Sequence, residues 1–99
     1  MRKLSDLQYY ALNLMQALLG AISSNFRLVS ITLQKQRVVI QIILATRSSE
    51  DLEEIEDLKA EFEAIVGPVD FAVEVSISAE PIFLPTPDGQ SMCVFRRRE

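Results

Sequence analysis

The sequence predicts an α+β protein: a two-layer sandwich of a four-stranded, mainly antiparallel sheet with two helices on one face, in the order α-β-β-α-β-β. Three observations predict it. Residues 4–22 and 48–66 each carry a single apolar stripe at helical spacing. Four other stretches, 26–33, 37–45, 71–78 and 91–98, are rich in β-branched residues or alternate apolar with polar. Elements that are apolar on one side only must bury that side against a second layer.

The first helix is "LSDLQYYALNLMQALLGAI" (4–22). Ser5 is placed to cap it, with Gln8 at the capping-box position and Leu4 and Tyr9 at the hydrophobic-staple positions. Leu7, Ala11, Leu14, Met15, Leu18 and Ile22 recur at helical spacing and should face the core. Gly20 and "SSN" (23–25) end it. The strands "FRLVSITL" (26–33) and "RVVIQIILA" (37–45) follow, joined by "QKQ" (34–36). That connection suits a hairpin but lacks an Asn-Gly or Asp-Gly pair, so its turn type stays open. The second strand is apolar on both faces, which places it centrally in the sheet.

The second helix opens at Ser48 or Ser49, and Leu52, Ile55, Leu58, Phe62, Ile65 and Val66 form its stripe. Gly67 and Pro68 stop it. "FAVEVSIS" (71–78) alternates, with Phe71, Val73, Val75 and Ile77 on one face and Ala72, Glu74, Ser76 and Ser78 on the other. Glu74, Ser76 and Ser78 should therefore meet solvent on the open side of the sheet. "EPIFLPTPDGQ" (80–90), with three prolines and an Asp-Gly, is a loop, and "SMCVFRRR" (91–98) is the last strand.

Ninety-nine residues make a single domain, 1–99, long enough for one modest core without staples. Its 48% hydrophobic content is that of a globular chain. One cysteine, Cys93, permits no internal disulfide, which suits a reducing compartment. It lies in an apolar strand and is expected to pack in the core. "VVIQIILA" (38–45) is far shorter than the roughly 20 residues of a membrane helix, and no signal peptide is evident. A cytoplasmic protein with no membrane partner is the expectation.

The chemistry of a catalyst is missing. There is no histidine, which removes Ser-His and Cys-His nucleophiles and the commonest metal ligand. One cysteine builds no zinc cluster, and Gly20, Gly67 and Gly89 are isolated, so no phosphate loop exists. The carboxylates lie along a helix and not as a pair in a cleft. The chain is expected to be no enzyme and to need no cofactor or metal.

The charge is unevenly placed. Residues 48–67 hold eight acidic residues and one basic, Lys59, a net of −7 in a chain of net −4, so the remainder is net positive. Glu50, Asp51 and Glu53, in the first turn, complement the helix dipole. Further along, Glu50–Glu54, Glu53–Asp57 and Asp57–Glu61 are like-charged pairs four residues apart, each costing roughly 0.2–0.5 kcal/mol. A helix selected for stability alone would alternate signs, so the surplus suggests a cationic partner. Solubility is the plainer reading, and composition leaves both open. A calcium site is disfavoured because the EF-hand spacing is absent. At the other end, Arg96 and Arg98 fall on one face of the last strand and Arg97 on the other. They read first as protection of an edge strand, and only weakly as a nucleic-acid contact. A net negative chain argues against nucleic acid as the direct partner.

Three stretches together carry a resemblance: "ALLGAISSNFRLVSI" (17–31) leading from helix to strand, "EDLEEIEDLKAEFEAI" (50–65) after the hairpin, and Glu80-Pro81-Ile82 ahead of "CVFRRRE" (93–99). The chain resembles, over nearly its whole length, the small bacterial immunity proteins of contact-dependent growth inhibition and related polymorphic toxin systems. The resemblance implies a protein that binds and neutralises a cognate toxin domain in the cytoplasm, many such toxins being nucleases with basic clefts. The acids Glu53, Glu54, Glu56, Asp57, Glu61 and Glu63 are then the expected partner-binding surface. The competing expectation is a non-enzymatic interaction module or self-associating structural domain. The chain should be a monomer or weak homodimer.

Overall fold

The computed structural model describes residues 6–35, 37–82 and 90–98. Helix α1 (Asp6–Leu18) leads into strands β1 (Phe26–Gln34) and β2 (Arg37–Leu44). Helix α2 (Ser49–Val66), β3 (Phe71–Ile77) and β4 (Ser91–Arg96) complete the chain. The predicted order of six elements holds. Helix α1 ends at Leu18, four residues before the predicted bound; Leu19 to Ala21 continue as a turn in which Leu18 C=O accepts from Ala21 and Ile22 N–H. The predicted cap Ser5 and staple residue Leu4, the hairpin's Gln36 and most of the proline-rich loop (83–89) lie outside the described residues.

The strands form one sheet in the order β3-β2-β1-β4. The pairings β1–β2 and β1–β4 are antiparallel, while β2–β3 is parallel, so the sheet is mixed and not mainly antiparallel as the sequence suggested. The reason is the connection. Strand β2 reaches β3 through the 18-residue α2, and a crossover helix returns the chain to run in its original direction. Strand β2 is central, as its two apolar faces predicted. Strands β3 and β4 are the edges.

Side chains of both helices and of the central strands meet in one buried cluster. Helix α1 supplies Leu7, Ala11, Leu14, Ala17 and Leu18, and α2 supplies Ile55, Leu58 and Phe62. Phe26, Val29, Ile31, Val38, Ile40, Ile42 and Leu44 come from the two central strands. Phe62 and Phe71 meet edge to face, with ring centroids 5.2 Å apart. Large side chains buried this fully contribute about 1.5–3 kcal/mol each.

Several predicted core positions lie elsewhere. Met15 and Ile22 of the α1 region, and Ile65 of α2, are exposed. Val75 and Ile77 share the alternation of Phe71 and Val73 but are also exposed, because β3 is an edge strand. Glu74 and Ser76 are exposed and Ser78 partly so. Cys93 is exposed and not a core residue. It pairs with Ser30, while its neighbour register on β1 slips between Val29 and Ser30, so that Val94 is an extra residue and the alternation of β4 breaks.

Candidate functional site: the acidic helix and its anchor

Helix α2 begins where the sequence places it. Ser48 is extended (φ −143°, ψ 119°), and its hydroxyl accepts from Asp51 N–H at 3.2 Å, a side-chain cap on an orphan helix donor. The helix ends at Gly67, whose φ of +81° suits glycine and whose N–H donates to Glu63 C=O at 2.9 Å. Between these ends the buried residues fall on one stripe, and the predicted partner-binding acids Glu53, Glu54, Glu56, Asp57, Glu61 and Glu63 are all exposed.

They do not form one cluster. At about 100° per residue, Glu53, Glu54, Asp57 and Glu61, with Glu50, occupy one sector roughly 100° wide. Glu56 and Glu63 lie beyond it, on the flank that carries Lys59. Lys59 Nζ sits 3.4 Å from Glu56 Oε1, and this is the ion pair of α2 among the described residues. The one cation of the helix thus serves the smaller flank. The larger sector consists of carboxylates with no cationic partner among the described residues, at spacings that set Glu50 beside Glu54, Glu53 beside Asp57, and Asp57 beside Glu61.

Asp51 belongs to the same run of sequence but not to this surface. It is 6% exposed, and its Oδ2 accepts from Asn25 Nδ2 at 2.8 Å. Asn25 sits in the turn before β1 and is a junction. Its Nδ2 also donates to Thr46 C=O at 2.7 Å, its Oδ1 accepts from Thr46 N–H at 3.0 Å and from the Thr46 hydroxyl at 3.2 Å, and its carbonyl accepts from Ala45 N–H at 2.9 Å. One side chain therefore ties the turn after α1 to the β2–α2 connection and to the first turn of α2. This junction sets where the acidic helix starts.

A second anchor is Arg27, 4% exposed. The β1–β2 register shifts between Phe26 and Leu28, which sets Arg27 aside from the ladder. Its Nη1 donates to Ser78 C=O at 2.6 Å and to Glu80 C=O at 2.8 Å. It so fastens the chain leaving β3 to the start of β1, although β2 lies between the two strands. The sequence pattern gives Arg27 no role and Asn25 only a place in the "SSN" that ends the first helix. The signal for Arg27 was present, as a single cation inside the apolar run "FRLVSI". Asn25 looked like an ordinary turn residue.

Among the described residues no group of three or more His, Cys, Asp or Glu side chains is arranged to hold a metal ion, and no helix is long and apolar enough to cross a membrane. The arrangement is one of display: a capped, tethered helix presenting unneutralised carboxylates. A comparison with curated proteins finds no match. A family model described as MafI2 immunity protein matches residues 8–99, which takes in α2, all four strands and all but the first two residues of α1.

Proposed function

Because the chain belongs to the MafI2 immunity protein family, we propose that it binds a cognate toxin domain stoichiometrically in the cytoplasm and blocks it without performing chemistry. The toxin belongs to a contact-dependent or related polymorphic system and presents a basic surface, of the kind a nuclease uses to hold nucleic acid. The larger acidic sector of α2, with Glu53, Glu54, Asp57 and Glu61, meets that surface in place of phosphates. Glu56 and Glu63 flank the contact.

One observation carries this reading. The acids repel one another at a cost to the helix, yet the fold leaves them exposed, and the one cation of α2, Lys59, sits on the other flank. An unpaired sector of one sign raises the rate of encounter with a partner of the opposite sign, and the effect falls with salt. Like-signed partners are discouraged by the same field.

Two experiments test it in sequence. The C-terminal domain of the large protein encoded immediately upstream is expressed with and without this chain. The reading expects killing by that domain alone and restored growth when this chain is present. Next, Glu54, Asp57 and Glu61 are replaced together by glutamine and association is timed across a salt series. At low salt the variant should associate at least about tenfold more slowly, with a flatter dependence on ionic strength. Failure of rescue by soluble protein would remove the immunity function. Rescue with an unchanged association rate would keep the function and discard α2 as its contact surface.

A further inference from the structure

Helix α1 and the turn that follows it carry a second, exposed strip of mostly apolar side chains beside the buried one. Leu7, Ala11, Leu14, Leu18 and Ala21 recur at intervals of four, three, four and three, and all are buried. Gln8, Leu12, Met15, Leu19 and Ile22 repeat the same intervals one residue later, and all are exposed, Leu12 at 52% and Leu19 at 79%. Within the helix, Gln8, Leu12 and Met15 keep the spacing at which one helix receives another, and Leu19 and Ile22 extend the strip past its end at Leu18. The second seam is rotated by about 100° from the first. Leu12 and Met15, with Gln8, Ala11 and Met92 of β4, line a shallow groove of 170 Å³. The seam therefore lies over the β4 side of the molecule, and β4 is an edge of the sheet.

We propose that this seam and the outer edge of β4 together form a two-fold interface with a second copy of this chain. Charge permits that occupant: the α1 part of the surface is neutral, and Arg96 is the one charged residue of β4. Residues 7–26 contain no charged side chain. A two-fold interface sets a patch against itself, which costs nothing in like-charge repulsion only where the patch is neutral. Helix α2 could not meet itself in this way.

The dimensions agree as well. Helix α1 touches both β1 and β4 and so lies over the gap between them. Pairing β4 with its copy places two α1 helices about two strand spacings, or roughly 10 Å, apart, which is the packing distance of helices. Antiparallel pairing centred between Cys93 and Val94 sets Arg96 opposite Ser91. The two Arg96 side chains are then held about 16 Å apart along the strands. The acidic sector of α2 takes no part, so each copy keeps its proposed toxin surface. This inference does not rest on the immunity reading.

The test is the mass of the whole chain by sedimentation equilibrium from low to high micromolar concentration. Twice the 11.2 kDa of one chain is expected at the upper end. Leu12→Glu and Leu19→Glu, both at exposed positions, should raise the dissociation constant at least about a hundredfold, since a two-fold interface feels each change twice. Circular dichroism and melting at low concentration should not change. Hydrogen exchange adds a second reading: β4 amides should slow with rising concentration in the native chain and not in Leu19→Glu. A monomer throughout, or a dimer indifferent to both substitutions, would overturn the proposal. Loss of toxin binding in Leu19→Glu with no change in mass would also overturn it and assign the seam to the toxin.

Discussion

Removing the Asn25 side chain should unfasten the acidic helix at its origin. In Asn25→Ala the buried Asp51 carboxylate loses the donor it has from another element, and Thr46 loses partners for its carbonyl, N–H and hydroxyl. A hydrogen bond to a charged group is worth about 1.5–3 kcal/mol, and an Asp51 left without it keeps its desolvation cost. The Thr46 bonds are at the surface, where water replaces them, so they add about 0.5 kcal/mol each at most. The total is about 3 kcal/mol. For a domain of this size each kcal/mol moves the melting temperature by about 4–8 °C, so a fall of roughly 12–24 °C is expected. Urea denaturation of Asn25→Ala, Asp51→Ala and the double variant isolates the pair, because the double variant no longer buries an unsatisfied charge. The coupling should exceed about 1 kcal/mol. A coupling below about 0.5 kcal/mol, the range in which independent sites add, would refute the reasoning. It would mean that the β2–α2 connection is held by its backbone alone.

Three further outcomes are expected. Replacing Glu54, Asp57 and Glu61 with glutamine removes three like-charged pairs and should stabilise the free protein by about 0.6–1.5 kcal/mol in urea denaturation at low salt, less at high salt; a loss of stability would contradict the repulsion argument. Arg27→Met leaves the Ser78 and Glu80 carbonyls without their cationic donor and should cost about 2 kcal/mol. Hydrogen exchange should show the opening at the Ser78 amide, which donates to Leu44, before it shows in β1. Gly67→Ala meets no steric obstacle, since nothing lies within 4 Å of the added carbon, but places a side chain at φ +81°. It should cost about 1–3 kcal/mol through backbone strain alone, read from thermal melting.

Much of the fold was legible because two periods, 3.6 and 2, separate helices from strands and because Ser48, Gly67 and Pro68 punctuate α2. The errors have specific causes. The direction of β3 follows from its arrival through α2, which the alternation "FAVEVSIS" does not encode. Met15 belongs to a second, mostly apolar strip beside the buried one, and periodicity cannot tell which of two adjacent strips faces inward; Ile22 lies past the end of α1 at Leu18, where the helical period no longer applies. Cys93 was assigned inward because the extra residue Val94 breaks a period of two that the sequence shows unbroken. In the candidate site, the exposure of the acids was legible from the α2 stripe alone. The burial of Asp51 was not. It depends on Asn25, twenty-six residues earlier in the chain, and a contact of that range leaves no local pattern.

The pairing of β4 with β1 has a consequence in time. Strand β1 is the first strand made and β4 the last, with nearly sixty residues between Gln34 and Ser91. At about 5–20 residues per second, synthesis leaves the far side of β1 without its neighbour for several seconds. During that interval Phe26 to Gln34 present a row of unsatisfied backbone groups to any extended segment nearby. Neighbouring nascent chains offer one another the same segment. A β4 donated from one chain to the β1 of another would satisfy every bond of the native pairing, so exchange of this strand is the misassembly to which this topology is most prone.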